Sequence, residues 1–155
     1  MLKTRIPPPV YALLSALTMW RLHLSFPVMQ LWGAEWGRIG WVIGLAGLLL
    51  DGWSVVLFLQ SRTTVNPMRP DRARHLVISG FYRFSRNPMY LGLLLQLSGW
   101  AVWLGSASPF AILPLFVGVL TEMQIKPEEN MLTISFGDEY KEYGRHVHRW
   151  FGRKV

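Results

Sequence analysis

Four long apolar stretches constrain this chain more than any other feature. They run over about 8–24, 39–59, 89–105 and 109–125. A helix needs roughly 20 apolar residues to cross a bilayer, with a range of about 17–25. Ile39–Leu59, IGWVIGLAGLLLDGWSVVLFL, meets that requirement outright. The third and fourth stretches sit near the lower limit and read as a tight helical hairpin turned at Gly105-Ser106-Ala107-Ser108-Pro109. The first, containing VYALLSALTMW, is interrupted by Arg21 and His23. No small-residue cleavage site follows it, so a retained helix is expected rather than a leader peptide. The expected fold class is therefore all-α and integral to the membrane. It has about four transmembrane helices in a single domain over 1–155, with a polar loop at 61–88 and a tail from 126 to 155.

The charges fit that reading. The formal net charge is +7 with only 16% charged residues, and a soluble protein with that surplus would suggest nucleic acid. Four spans place 14 of the 16 Lys and Arg on one side, with only Arg21 and Arg38 on the other. The positive-inside rule then puts both termini and the 61–88 loop in the cytosol, in the inner membrane if the source is bacterial. The basic surplus faces anionic headgroups, so the bilayer is the expected partner and nucleic acid is not. Trp32, Trp36, Trp41, Trp100 and Trp103 fall at the opposite interface, as an aromatic belt would. With no cysteine, there is no disulfide, thiolate nucleophile or Cys-ligated metal. His23, His75, His146 and His148 show no ligand spacing with carboxylates, so no metal site is expected.

The polar segments carry the candidate chemistry. The loop holds two Asn-Pro turns, at Asn66-Pro67 and Asn87-Pro88, and Asn-Pro discourages helix before it. Within the run His75-Leu76-Val77-Ile78-Ser79-Gly80-Phe81-Tyr82-Arg83, Ser-Gly reads as a turn. Tyr82 and Arg83 are able to stack on or pair with a planar anionic ligand, although loop arginines also serve simply as lipid anchors. The tail opens Lys126-Pro127-Glu128-Glu129, which predicts a helix start with proline first and acids in the first turn. Those two glutamates are either dipole-stabilising acids or carboxylates for an ammonium or ribose hydroxyls. Phe136-Gly137 should end that helix and Asp138 should begin another. Asp51 and Glu122 lie in or at the edge of spans, where acids are costly and are functional candidates by default. Gln96 reads as a bridge between helices, and Gly40, Gly44 and Gly47 as close helix packing.

The ordered series LVISGFYRFSRNPMYLG, then a helical hairpin, then EENMLTISFGDEYKEYGRHVHRW resembles the isoprenylcysteine carboxyl methyltransferase family of membrane enzymes over about 60–150. Phosphatidylethanolamine N-methyltransferases are similar over the same stretch. The resemblance implies S-adenosylmethionine as methyl donor and S-adenosylhomocysteine as product, with a lipid or lipophilic acceptor at the cytosolic face. It implies cofactor contacts from Arg74, His75, Leu76, Val77, Tyr82, Asn87, Pro88, Met89, Tyr90, Glu128 and Glu129, with the Asn-Pro turn setting Tyr90 and Gly92 against the cofactor. Isoprenylcysteine enzymes carry His where Asn87 stands, whereas the phospholipid enzymes carry Asn-Pro-Met-Tyr as here. The arginine that isoprenylcysteine enzymes use for the substrate carboxylate aligns with Gln124, with Lys126 nearby as a substitute. No catalytic residue is fixed; Glu129, Gln124 and Lys126 are the candidates. A non-catalytic membrane scaffold retaining the same fold is the alternative reading.

Overall fold

The computed structural model describes residues 6–60 and 76–154. Its regular structure in these segments is helical, with isolated bridges at Gln30–Ser106 and Val147–Arg153 and no strand among the described residues. Helix α1 spans Pro8–Ser25, α2 Gly37–Gln60 and α3 Pro88–Leu104. Helix α4 spans Ile112–Leu120, α5 Lys126–Phe136 and α6 Asp138–His146. The segments Ala34–Leu57 and Ser108–Phe136 are long and apolar enough to cross a membrane, and the apolar helix Pro88–Leu104 is shorter.

Local chemistry sets the helix ends. Pro88 occupies the first turn of α3, where its missing N–H costs nothing. Gly105 ends α3 in the left-handed region at φ 78° and donates to Ala101 O, as a C-terminal glycine does. The hairpin turn is tied back to the 26–33 segment, with Leu31 N–H donating to Gly105 O at 2.8 Å and Trp32 Nε1 to Val102 O at 2.8 Å. Trp32 lies near Trp36, and Trp100 stacks on Trp103 at 4.9 Å. Tryptophans from three segments thus gather at this end of the bundle.

The predicted helix start at Lys126 is where the structure departs from expectation. The chain passes from α4 into α5 without a break, through a π turn at Thr121–Ile125 in which Lys126 N–H donates to Thr121 O. The reason is Pro127. In a regular α-helix its ring collides with the carbonyl four residues earlier, and the widened turn lies directly upstream of it. The fourth apolar stretch and the two tail glutamates therefore belong to one continuous helical rod.

Helices α1, α3 and α4 build the core, where Met19, Leu97, Ala101, Phe116, Leu120 and Ile125 pack together. Helix α2 packs along α3, with only slight contact to the other long helices. Glycines let that pair approach closely. A Cβ on Gly40 would stand 2.6 Å from Gly99 O, and one on Gly47 would stand 2.5 Å from Gly92 O. Gly92, expected against the cofactor, lies in this seam facing α2, where a Cβ would overlap the Asp51 carboxylate. Asp51 and Gln96 meet across the seam, Gln96 Nε2 donating to Asp51 Oδ2 at 2.6 Å. Gln96 thus bridges helices as anticipated, and its partner is Asp51.

Candidate functional site

Three segments converge at the end of the bundle opposite the hairpin turn: residues 76–90, α5, and α6 with the chain that follows it. The first contains a 3-10 turn at Gly80–Arg83, entered through Gly80 at φ 58°, which the Ser-Gly pair predicted. Tyr82 is buried in that turn. Its backbone oxygen accepts the Tyr143 hydroxyl at 2.6 Å, docking α6 on the turn.

The chain beyond α6 then clasps the Asn-Pro corner. Arg86 N–H donates to His148 O at 3.1 Å, Gly152 N–H to Phe84 O at 2.7 Å, and Asn87 Nδ2 to Arg149 O at 3.0 Å. The Arg149 side chain grips Glu129 with both arms of its fork, Nε to Oε1 at 2.9 Å and Nη2 to Oε2 at 2.6 Å. Arg86 reaches the same carboxylate at 3.1 Å and lies over the Tyr140 ring. This bidentate pairing raises the Arg149 pKa, the hydrogen bond to Glu129 being the main cause. Burial, with Glu129 nearby, pushes the Tyr140 phenol up to about 12. Burial likewise raises Tyr143, and it raises Tyr82 together with the charges of Tyr143, Glu128 and Asp51. These tyrosines remain neutral hydrogen-bonding groups.

Beside this clasp, Glu128 is buried and accepts the Tyr90 hydroxyl at 2.6 Å. The pair joins the first turn of α3 to α5. The two adjacent glutamates therefore have separate placements: Glu129 is held by two arginines, whereas Glu128 turns inward to a tyrosine. Val77, Tyr82, Pro88 and Tyr90 are buried around them; Leu76, Asn87 and Met89 are half-buried. Arg74 and His75 lie outside the described residues.

The three catalytic candidates do not converge. Lys126 is exposed and paired with Glu122. Gln124 is fully buried and donates to Ile6 O at 2.6 Å, tying α1's approach to the π turn, while its Oε1 has no hydrogen-bond partner. Glu129 belongs to the arginine clasp.

An open cleft of about 510 Å³ lies between residues 76–83 and α6. Its walls include Leu76, Ile78, Tyr143 and Val147, and its rim carries Arg83 and Arg153 beside Glu139 and Glu142. Leu76 links it to the expected cofactor set, and Tyr143 links it to Tyr82. Sequence reasoning missed Arg149 and Arg86 as the partners of Glu129; the only trace was the basic-aromatic end HVHRW. Among the described residues no three His, Asp or Glu side chains gather as metal ligands would.

A buried tyrosine–glutamate pair, and a separate open cleft between residues 76–83 and α6, at one end of an apolar helical bundle, define a membrane-associated protein with polar groups at its rim. The phospholipid methyltransferase family profile matches residues 38–139. Probable protein-S-isoprenylcysteine O-methyltransferases of Oryza sativa subsp. indica and subsp. japonica are each 30% identical over 126 residues, covering 81% of this chain and 65% of the relative. The chain thus spans just under two thirds of the length of those rice proteins. An uncharacterized protein of Haemophilus influenzae is 44% identical over 62 residues, which is 40% of this chain and 98% of that protein. No solved structure matches the chain. The chain belongs to the phospholipid methyltransferase family.

Proposed function

We propose that this protein is an integral membrane enzyme that transfers a methyl group from S-adenosylmethionine to a lipophilic small molecule or lipid headgroup at the cytosolic face. The observation that carries this reading is the buried Tyr90–Glu128 hydrogen bond, which joins the start of α3 to α5, with the Glu128 charge bearing on Tyr82. The residues present fit the donor. The cleft volume falls within the range of roughly 300–1,000 Å³ usual for such ligands. Its apolar walls suit a purine, Arg83 and Arg153 suit a carboxylate, and Glu139 and Glu142 suit an ammonium.

When bound, the donor supplies an electrophilic methyl group on a sulfonium. Leu76, Val77 and Tyr82 would hold it, together with Tyr90 and Glu128. Methyl transfer is an in-line displacement, so the chain's task is alignment and exclusion of water more than proton relay. Tyr90 orients the Glu128 carboxylate, and the Glu129–Arg149–Arg86 clasp holds α5 and the Asn-Pro corner in register.

Four spans with both termini cytosolic fit the one-sided distribution of 14 of the 16 Lys and Arg. That orientation lets the soluble donor arrive from the cytosol and the acceptor laterally from the bilayer. Calorimetric binding of S-adenosylhomocysteine to detergent-purified protein, with Glu128→Ala alongside, tests the proposal. Binding that is lost in the variant supports it. A folded protein that binds nothing, in detergent or in nanodiscs, favours the non-catalytic scaffold.

A further inference from the structure

The turn that carries Tyr82 stands beside α2, not beyond its end. A Cβ on Gly80 would lie 2.7 Å from Leu57 Cδ1 and 3.3 Å from Trp53 Nε1. Both residues belong to the last two turns of α2, which ends at Gln60. At about 5.4 Å per turn, Gly80 therefore lies within roughly 10 Å of that helix end, on the inner side of it. Ser54, from the same stretch of α2, is hydrogen-bonded to Tyr82. Ala34–Leu57 is long and apolar enough to cross a membrane, so residues 78–84 share the depth of its last turns.

What this segment turns outward is apolar. Tyr82 is buried, whereas Ile78, Phe81 and Phe84 are exposed. Phe84 N–H donates to Phe81 O at 2.9 Å and closes the 3-10 turn. Side chains three apart in such a turn eclipse one another, so Phe81 and Phe84 share a face. The tail adds a third ring: Phe151 is 70% exposed, and its neighbour Gly152 donates to Phe84 O. Trp53, which borders Gly80, is itself exposed, so the apolar surface of the span runs on into this edge.

Charge selects the occupant. Residues 78–84 and 147–154 contain no acid. Arg83 and Arg153 are exposed beside the phenylalanines, while Glu139 and Glu142 stand on α6 across the cleft. Phenylalanines on one side with arginines flanking them are what a segment lying in the bilayer interface presents, rings toward the acyl chains and cations toward phosphate.

We propose that the edge formed by Ile78, Phe81, Phe84 and Phe151 is seated in the leaflet at this end of the bundle, with Arg83 and Arg153 among the lipid phosphates. Residues 78–84 are then not a loop standing clear of the membrane. Ile78 also lines the cleft, so the cleft opens at headgroup depth. The proposal rests on the membrane-spanning reading of α2.

The test uses the full wild-type chain, one per nanodisc, in mixed phosphatidylcholine and phosphatidylglycerol. A trifluoromethyl phenyl diazirine that partitions into acyl chains is photolysed with glutathione in the buffer to consume aqueous carbene. Adducts are located by mass spectrometry. They should appear on Phe81, Phe84 and Phe151 at a level comparable with residues 42–49 of α2, and be absent from residues 138–142. Labelled α2 with unlabelled phenylalanines overturns the proposal and leaves the span intact, and it is the result expected of an edge built for a soluble protein partner. Equal labelling of 138–142 also overturns it, because the edge would then differ in nothing from the outer face of α6. An unlabelled α2 overturns the membrane-spanning reading itself, and the proposal with it.

Discussion

At the scale of single residues, the adjacent glutamates make opposite predictions. On the proposed function Glu128 contacts the methyl donor, so Glu128→Ala and Tyr90→Phe should weaken S-adenosylhomocysteine binding by roughly 10- to 150-fold, the worth of one charge-assisted hydrogen bond. Calorimetry reads this directly, and the thermal midpoint should barely move in Tyr90→Phe. Glu129 is placed to hold structure. Glu129→Gln strands two arginines and should cost about 1–3 kcal/mol of stability, seen as a lower thermal midpoint in detergent. Their neighbour Tyr140 sets an alkaline limit. Unfolded tyrosine titrates near pH 10, while the folded phenol is pushed up to about 12. Its contribution is therefore complete below about pH 10 and is lost as pH rises toward 12. Tyrosinate absorbance should accordingly appear together with loss of near-ultraviolet circular dichroism.

At the scale of elements, the α2–α3 seam is the sensitive junction. A Cβ on Gly99 would overlap the carbonyl of Gly40, whereas one on Gly118 meets nothing within 4 Å. Gly99→Ala should destabilise by about 1–3 kcal/mol, as overpacking does. Gly118→Ala should be neutral or stabilising by about 0.5–1 kcal/mol, the helix-interior cost of glycine. The two thermal midpoints moving together would contradict this seam. Much at this scale was legible in the sequence: α1, α2 and α3 begin and end within a residue or two of the apolar stretches, because the prolines that open α1 and α3 and Gly105 at the hairpin are local signals. The π turn was not legible. Lys-Pro-Glu-Glu is a proper helix opening taken alone, and only the preceding apolar rod shows that the helix is already running. The Asp51–Gln96 and Glu129–Arg149 pairs were hidden for another reason: sequence spacing says nothing about which helices become neighbours.

At the scale of the whole molecule, the expectations concern the bilayer. The two segments that meet the length test and the shorter helix α3 agree with the apolar pattern of the sequence, and the family match agrees with the order of motifs from the loop into the tail. Orientation is open to a clean experiment because the chain has no cysteine. Single cysteines replacing Glu35 and Lys154 should react with a membrane-impermeant maleimide from opposite sides. Labelling of both from one side would rule out the four-span arrangement.

The clasp at the Asn-Pro corner has a consequence for biosynthesis. Residues 148–152 hold positions 84–87, so contacts that complete the rim join points more than sixty residues apart in the chain. The apolar helices can enter the bilayer while the ribosome is still making the region that closes the corner. Nascent chains arrested before Arg149 should integrate into membranes yet fail to acquire the protease resistance of the 76–90 segment, which appears only once the closing stretch has emerged from the exit tunnel.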